Sequence, residues 1–515
     1  MTRPRVCGIA FGMALSAAPI AFAEEPFALL WDEQTGVIDK NDRGYGVTVG
    51  PGGFAYDTGE TPGVRNLPNT NETDYFLRKI SPSGSVIWSK TLGSAGYEQG
   101  KSVTSDTLGN LFVAGTTTDG VASQNTQFEN AFLTKFDPDG GVLWSRQIDS
   151  GTRDYGEGVA VDALGNAYLT GYTGGDLDGP NPGNWGAFLT KFDPSGVEQW
   201  TRHVGTPAAD LSFGVAVDAA GNAFIAGRTQ GDLAAVNPGS SDLFLSKIDP
   251  GGQVLWSTQW GTSADDQGLG VTVGPTGDAF VAGYSRGSLG GPSGGSLDGI
   301  VTKVNTDGVV QWTTQVGVSG SDLYHAITHD TQGNLYATGK VTGNLGPSRF
   351  GIGEVLVTKM DPDGNVLWHQ QFGSQYIDNG YGIAVDDLGH LYVTGETSAP
   401  AQGAPLSRFD AILAKLVFPG DTDGDGDIDD ADLGTQFANY TGPFIFEPGP
   451  KTGAQGDVNG DGDVDDADLG TAFAGYTGPL SPASTVPEPA GSAWLVCAGW
   501  LTLGRRRDAT TAGPG

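Results

Sequence analysis

GVAVDALGNAYLTGYT (residues 158–173) and AFLTKFDPSGVEQW (residues 187–200), separated by a Gly/Pro-rich stretch, carry the reading that decides the fold. Four strand-like runs stand in them. Residues 158–162 and 167–172 flank a Leu-Gly-Asn turn at 164–166, and residues 187–192 and 197–203 flank an Asp-Pro-Ser-Gly turn. Two hairpins in sequence predict a four-stranded antiparallel blade.

This unit is one of a series. Tryptophan recurs at Trp88, Trp144, Trp200, Trp256, Trp312 and Trp368, at intervals of 56 residues, with Trp31 one residue out of phase before them. Lysine keeps the same beat at Lys79, Lys135, Lys191, Lys247, Lys303, Lys359 and Lys415, and glycine at Gly59, Gly115, Gly171, Gly227, Gly283, Gly339 and Gly395. A period shared by unrelated residue types belongs to a structural unit, so seven copies fill roughly residues 27–417.

An open stack of such blades would leave sheet faces uncovered at both ends, and radial closure removes that problem. The repeats begin in mid-unit with a Trp-bearing strand, PFALLW at 26–31, and end with a Lys-bearing strand, AILAKL at 411–416. The last blade lacks its fourth strand and the first residues contain a spare one, so the expected fold is an all-β, seven-bladed β-propeller over residues 24–417. The units at 100–115, 158–171, 214–227 and 382–395 (GIAVDDLGHLYVTG) resemble the bacterial propeller repeats known as SBBP repeats, matching at the Asp, Gly-Asn, aromatic and Thr-Gly positions together. The copies around Tyr45 and Gly270 have Gly50 and Gly274 in place of the Asp. The resemblance implies a fold; propellers carry many unrelated functions.

Composition fits a secreted all-β protein. Of 515 residues 84 are Gly and 29 Pro, and the formal net charge is −33, a balance that argues against nucleic acid and anionic membrane surfaces as partners. Residues 1–23 hold Arg3 and Arg5, an apolar run from Val6 to Ala18, and Ala21-Phe22-Ala23 before two glutamates, the pattern of a cleaved secretory signal. Residues 481–489 end in Val486-Pro487-Glu488-Pro489; an apolar stretch, Ala490 to Leu503, and Arg505-Arg506-Arg507 follow within residues 490–515. This resembles the PEP-CTERM sorting signal handled by an exosortase. The apolar stretch would span about 21 Å as a helix, short of the roughly 30 Å hydrocarbon core, which fits a transient membrane contact; the alternative is a plain membrane tail. Both cysteines, Cys7 and Cys497, lie inside these two addresses, so removal of the addresses would leave a chain without thiols.

The strongest chemical motif follows the propeller. Asp421, Asp423, Asp425, Asp429 and Asp432 occupy loop positions 1, 3, 5, 9 and 12, with Gly426 at the sharp turn and the carbonyl of Asp427 at position 7. A second loop repeats the spacing with Asp457, Asn459, Asp461, Asp465 and Asp468, Gly462 at the turn and the Asp463 carbonyl. Ca²⁺ needs such an oxygen cage, so two calcium sites are expected. Thirteen of the 60 acidic residues sit in these two loops. Leu433, Phe437 and Tyr440, and again Leu469, Phe473 and Tyr476, then fall on one helical face before Gly-Pro stops. Two loop-helix units over residues 418–480 resemble a type I dockerin, which implies a small α-helical domain and calcium-dependent docking to a cohesin-like or other envelope protein, in assemblies that often degrade polysaccharide. Asp430-Ala431 and Asp466-Ala467 stand where cellulosomal members carry Ser/Thr recognition residues.

Enzyme signals elsewhere are weak. His203, His325, His329, His369 and His390 share no repeated position and read as strand or loop histidines. Ser293 in Gly-Pro-Ser-Gly-Gly matches a serine-nucleophile pattern formally, without the strand-to-helix elbow that activates one. The Asp-Pro-x-Gly-x-x-x-Trp segments are similar to tryptophan motifs of quinoprotein dehydrogenases, which have eight blades. Residues kept in every blade solve a problem every blade has, such as neutralising a carboxylate or fixing a turn, whereas binding sites arise where blades differ. That directs attention to the connectors at 116–129, 172–186, 228–241, 284–297, 340–353 and 396–409, with Trp185 and Phe350 as the exposed-aromatic candidates for ligand contact, the alternative being ordinary packing. The expected function is noncatalytic: an exported, surface-sorted propeller scaffold binding a protein or an extracellular glycan, with no catalytic residues. The rival is a hydrolase or lyase of extracellular polysaccharide, which carboxylates converging in the central channel would favour.

Overall fold

The computed structural model describes residues 28–35, 41–62, 73–94, 96–121, 128–345, 351–399 and 409–417. Among them are 28 strands in seven four-stranded antiparallel sheets, the propeller that the repeat predicts. In the blade quoted above the strands run Asp154–Val161, Ala167–Thr173, Gly186–Phe192 and Glu198–Val204, and pair in that order from the channel outwards. The inner strand begins at Asp154 rather than at 158, and its register shifts between Gly156 and Gly158. Alternation of side chains across a strand cannot be followed through such a bulge, which is why the sequence pattern starts too late.

The spare N-terminal strand closes the ring. Ala28–Thr35 pairs antiparallel with Asp410–Val417, from Ala28 opposite Val417 to Thr35 opposite Ala411, and becomes the outer strand of the seventh blade. The expected pairing of 27–31 with 411–416 is present from Ala28 onwards and extends further, to Thr35, residue 27 lying outside the described residues. The closing seam also carries the bond found at other seams. The backbone N–H of Asp42 donates to the Phe409 carbonyl at 2.8 Å, as that of Asp210 donates to Trp185 at 2.9 Å.

The core lies in the seams between blades. Phe112 and Leu133 of the second blade pack with Leu169 and Phe188 of the third, all fully buried. Three of the repeated tryptophans, Trp144, Trp200 and Trp256, latch their seams from outside. Trp144 donates Nε1–H to the Pro194 carbonyl of the next blade at 3.1 Å, and Trp200 does the same to Pro250 at 3.0 Å. Each indole covers a turn glycine with positive φ, Gly196 (80°) and Gly252 (86°) respectively.

The repeated lysines and aspartates do what symmetry suggests. Asp162 Oδ1 accepts the backbone N–H groups of Leu164 and Asn166, both at 2.9 Å, which fixes the turn between inner and second strands. Lys135, buried, stands 3.6 Å from the corresponding Asp106 and over the Phe112 ring at 4.8 Å. Where Gly274 replaces the turn Asp, Lys303 pairs with Asp278 at 3.1 Å instead. These tight turns lie at one end of every blade. The connectors between second and third strands, and the loops from one blade to the next, lie at the other end, so everything variable shares one face. The two loops expected to bind calcium, the helices expected after them, both expected terminal addresses and Phe350 lie outside the described residues.

Candidate binding site at the channel mouth

All seven inner strands carry a bulge at the same phase, and each bulge aims one side chain into the central channel. The register breaks flank Tyr45, Lys101, Glu157, Phe213, Leu269, His325 and Tyr381 in turn. These seven residues, one per blade and spaced by the repeat, line a cavity of about 190 Å³. Beyond it toward the tight-turn face lies a larger one of about 360 Å³, walled by residues such as Thr48, Ala160 and Thr272. A bulge is a local device for re-aiming a side chain, and the small residues on either side of most of these positions leave room for it. At Gly46 an added Cβ would come within 2.9 Å of the neighbouring inner strand at Ser102.

The ring has an uneven chemistry. His325, Tyr381 and Tyr45 form an aromatic arc with centroids 4.7 Å and 5.5 Å apart, and Lys101 sits over the Tyr45 ring at 4.2 Å. Glu157 is the one carboxylate of the ring; burial raises its pKa, and Lys101 opposes that rise. Burial brings His325 down to about 4, with Lys340 adding to the effect, so its imidazole is neutral at neutral pH.

Above the ring, the first and seventh blades share a polar knot. Arg43 pairs with Glu60 at 2.8 Å and with Glu396 at 2.6 Å. Tyr45 donates to Glu60 at 2.9 Å and Tyr381 to Glu396 at 2.8 Å, while Gln99 also donates to Glu60. Burial pushes the Glu60 carboxyl up, but the hydrogen bonds from Gln99, Arg43 and Tyr45 outweigh it and hold the pKa below the ordinary value. Across the mouth an aromatic wall descends from connector to ring. Trp185 packs on Tyr155 (5.8 Å) and Tyr172 (5.5 Å), these two stack at 4.8 Å, and Tyr172 meets Phe213 at 6.3 Å. Trp185 is therefore half-buried in a cluster, the packing alternative to an exposed aromatic.

The carboxylate test gives a mixed answer. Two carboxylates do meet near the mouth, but both are committed to Arg43, and the ring itself holds Glu157 alone among side chains of which only tyrosine recurs. Four histidines behave as strand or loop residues: His390 bonds Asp386 at 3.0 Å, His369 bonds Thr358 and His329 bonds Thr272, each at 2.9 Å, and His203 accepts from the Leu177 N–H at 3.2 Å. His325 is a strand residue too, and lines the ring. Ser293 is exposed and donates to the Gly295 carbonyl at 3.1 Å. Sequence reasoning placed the variable site in the connectors and missed the ring, although a signal existed: the column framed by small residues, as in Gly44-Tyr45-Gly46 and Gly156-Glu157-Gly158, holds a different side-chain chemistry in nearly every blade.

Comparison with known proteins agrees with the repeat. The SBBP beta-propeller repeat matches residues 87–120, 143–178, 199–234, 311–347 and 367–400. Each match runs from the outer strand of one blade through the inner two of the next, and each includes a turn aspartate. An uncharacterized WD repeat-containing protein of Acanthamoeba polyphaga mimivirus is 22% identical over 62% of this chain, and the regulatory protein FlaEY of Caulobacter vibrioides 27% identical over 29%. The alignments span only 32% and 17% of the lengths of those two relatives. Among solved structures, a catalytically inactive virginiamycin B lyase from Staphylococcus aureus with quinupristin is similar at 11% identity and a TM-score of 0.43, over 74% of this chain and 98% of that one. YCF48 bound to D1 peptide is similar at 11% identity and a TM-score of 0.41, over 78% and 99%.

Proposed function

We propose that this chain, a propeller built on SBBP beta-propeller repeats, is a noncatalytic, exported binding protein that takes its ligand at the channel mouth on the connector face. The observation that carries this reading is the ring of Tyr45, Lys101, Glu157, Phe213, Leu269, His325 and Tyr381, in which the fold repeats the bulge in all seven blades while the side chain, tyrosine apart, changes. Structural demands would be the same in every blade; a ligand's demands are not. The calcium loops at 421–432 and 457–468 support a second role for the chain, attachment to a cohesin-like or other envelope protein through residues 418–480. The PEP-CTERM-like tail supports delivery to the cell surface.

The test is binding of the full chain to arrays of glycans and peptides, beside a Lys101→Ala, Phe213→Ala variant whose melting temperature matches the parent. Loss of the parent's signals in the variant is the expected result, and undiminished signals would move the site elsewhere. The rival, polysaccharide cleavage, has one specific support: Glu157, raised by burial, is placed as a general acid would be. Release of reducing ends that disappears with Glu157→Gln would favour it.

A further inference from the structure

We infer that the ligand of the channel mouth is an acidic polysaccharide, a chain of sugar rings bearing carboxylates; this rests on the channel-mouth reading above. In a protein with 60 acidic and 27 basic residues, nearly every cation should find a partner. Among the described residues three lysine or arginine side chains make neither an ion pair nor a hydrogen bond: Lys101, Arg228 and Lys340. All three stand at the channel mouth. Lys101 belongs to the ring, Lys340 acts electrostatically on His325 of the ring, and Arg228 acts on Tyr172 and Tyr284 and, beside Arg286, on Asp265. The Nε of Arg228 is buried with no acceptor. A guanidinium held so, near the Asp265 carboxylate but bonded to none, keeps a forked donor face for an anion that reaches it.

The register supplies the second half of the argument. Tyr172, Arg228, Tyr284 and Lys340 occupy one position in the second strands of four successive blades, opposite Tyr155, Leu211, Gln267 and Leu323. Aromatic and cation thus alternate along one arc of the mouth. At the same position in the seventh and first blades stand Glu396 and Glu60, already satisfied by Arg43. A linear acidic glycan uses both elements of the arc, laying the apolar faces of its rings on tyrosine and its carboxylates on Arg228 and Lys340. An acidic peptide would use the cations and leave the aromatic surfaces idle.

Affinity electrophoresis of the full chain in gels containing polygalacturonate, hydroxyethyl cellulose or poly-L-glutamate separates the cases. Polygalacturonate should retard the parent, less so at high salt. Arg228→Gln and Lys340→Gln should each weaken this by about tenfold or more, while Arg228→Lys retains most of it. Melting temperatures establish that the variants are folded, and the salt dependence of the parent stands as a readout that needs no variant. Equal or stronger retardation by poly-L-glutamate would overturn the glycan assignment. Equal retardation by hydroxyethyl cellulose, insensitive to the charge variants but lost in Phe213→Ala, would overturn the anionic class and leave the channel-mouth reading standing. No retardation of the parent by polygalacturonate would overturn the inference outright.

Discussion

Trp144 and Gly196 show how much of this ring rests on single residues. Gly196 has φ 80°, and a Cβ added there would lie 2.7 Å from the Trp144 ring of the preceding blade. Gly151 has nearly the same φ, 79°, with nothing within 4 Å of its added Cβ. Alanine at Gly151 should therefore cost only the left-handed strain, about 1 kcal/mol, whereas alanine at Gly196 adds overpacking of about 1–3 kcal/mol. Denaturant melts of the two variants should reveal that gap; equal losses would mean that the indole does not hold the seam. His325 makes a second residue-scale case. Its folded pKa is lowered to about 4 by burial, with Lys340 contributing, so the unfolded chain binds the proton better. The stability it contributes is complete above the unfolded pKa of about 6.5 and drains as the pH falls from there toward 4. Because the side chain faces a channel and is only half-buried, the loss should be about 1–2 kcal/mol. The difference in melting temperature between the parent and His325→Gln should narrow or invert across that pH window, and a constant difference would show that the imidazole is not held neutral by the ring.

At the scale of elements, the closing strand Ala28–Thr35 and the seven bulged inner strands do different work. Removing residues 24–35 would uncover the edge of Asp410–Val417, whose Leu413 and Leu416 are fully buried, and leave seven residue pairings unmade. The expected outcome is a melting temperature lower by several degrees together with concentration-dependent aggregation through the exposed edge; an unchanged melt would contradict closure by this strand. That strand was legible in the sequence because a strand's worth of apolar residues stood one unit early, and Trp31 and Lys415 kept the spacing of an outer and a third strand. The turns were legible for a similar reason, since Asp162, Gly165 and Asn166 each meet a local demand of the backbone. The ring was not. Phe213 and Glu157 occupy one structural position with opposite chemistry, and a column without a shared residue type looks unconstrained until the bulge beside it is seen. Trp185 was legible only as a choice between ligand contact and packing, because sequence gives an aromatic in a Gly/Pro-rich connector no neighbours, while the register brings Tyr155 and Tyr172 against it.

For the molecule as a whole, the question is whether propeller and calcium loops stand or fall together. The propeller's stability lies in its seams, in clusters such as Phe112, Leu133, Leu169 and Phe188, and in lysine-carboxylate pairs that a chelator cannot reach. Among the described residues no group of three or more His, Cys, Asp or Glu comes together as a metal cluster would. Residues 418–480 are of another kind, with few apolar side chains to offset chain entropy and carboxylates that repel one another until a cation neutralises them. The full chain should therefore show two transitions in calcium. Excess chelator should abolish the smaller, helical one and leave the propeller transition within about a degree, since mass action stabilises only the unit that binds the ion. Asp421→Ala with Asp457→Ala should reproduce the chelated profile in the presence of calcium, because position 1 of each loop is the place from which the proposed site would draw its first oxygen ligand. A propeller transition that drops with the chelator would mean that the ring itself depends on the ion, and a helical signal that survives chelation would remove the calcium assignment and with it the dockerin-like attachment.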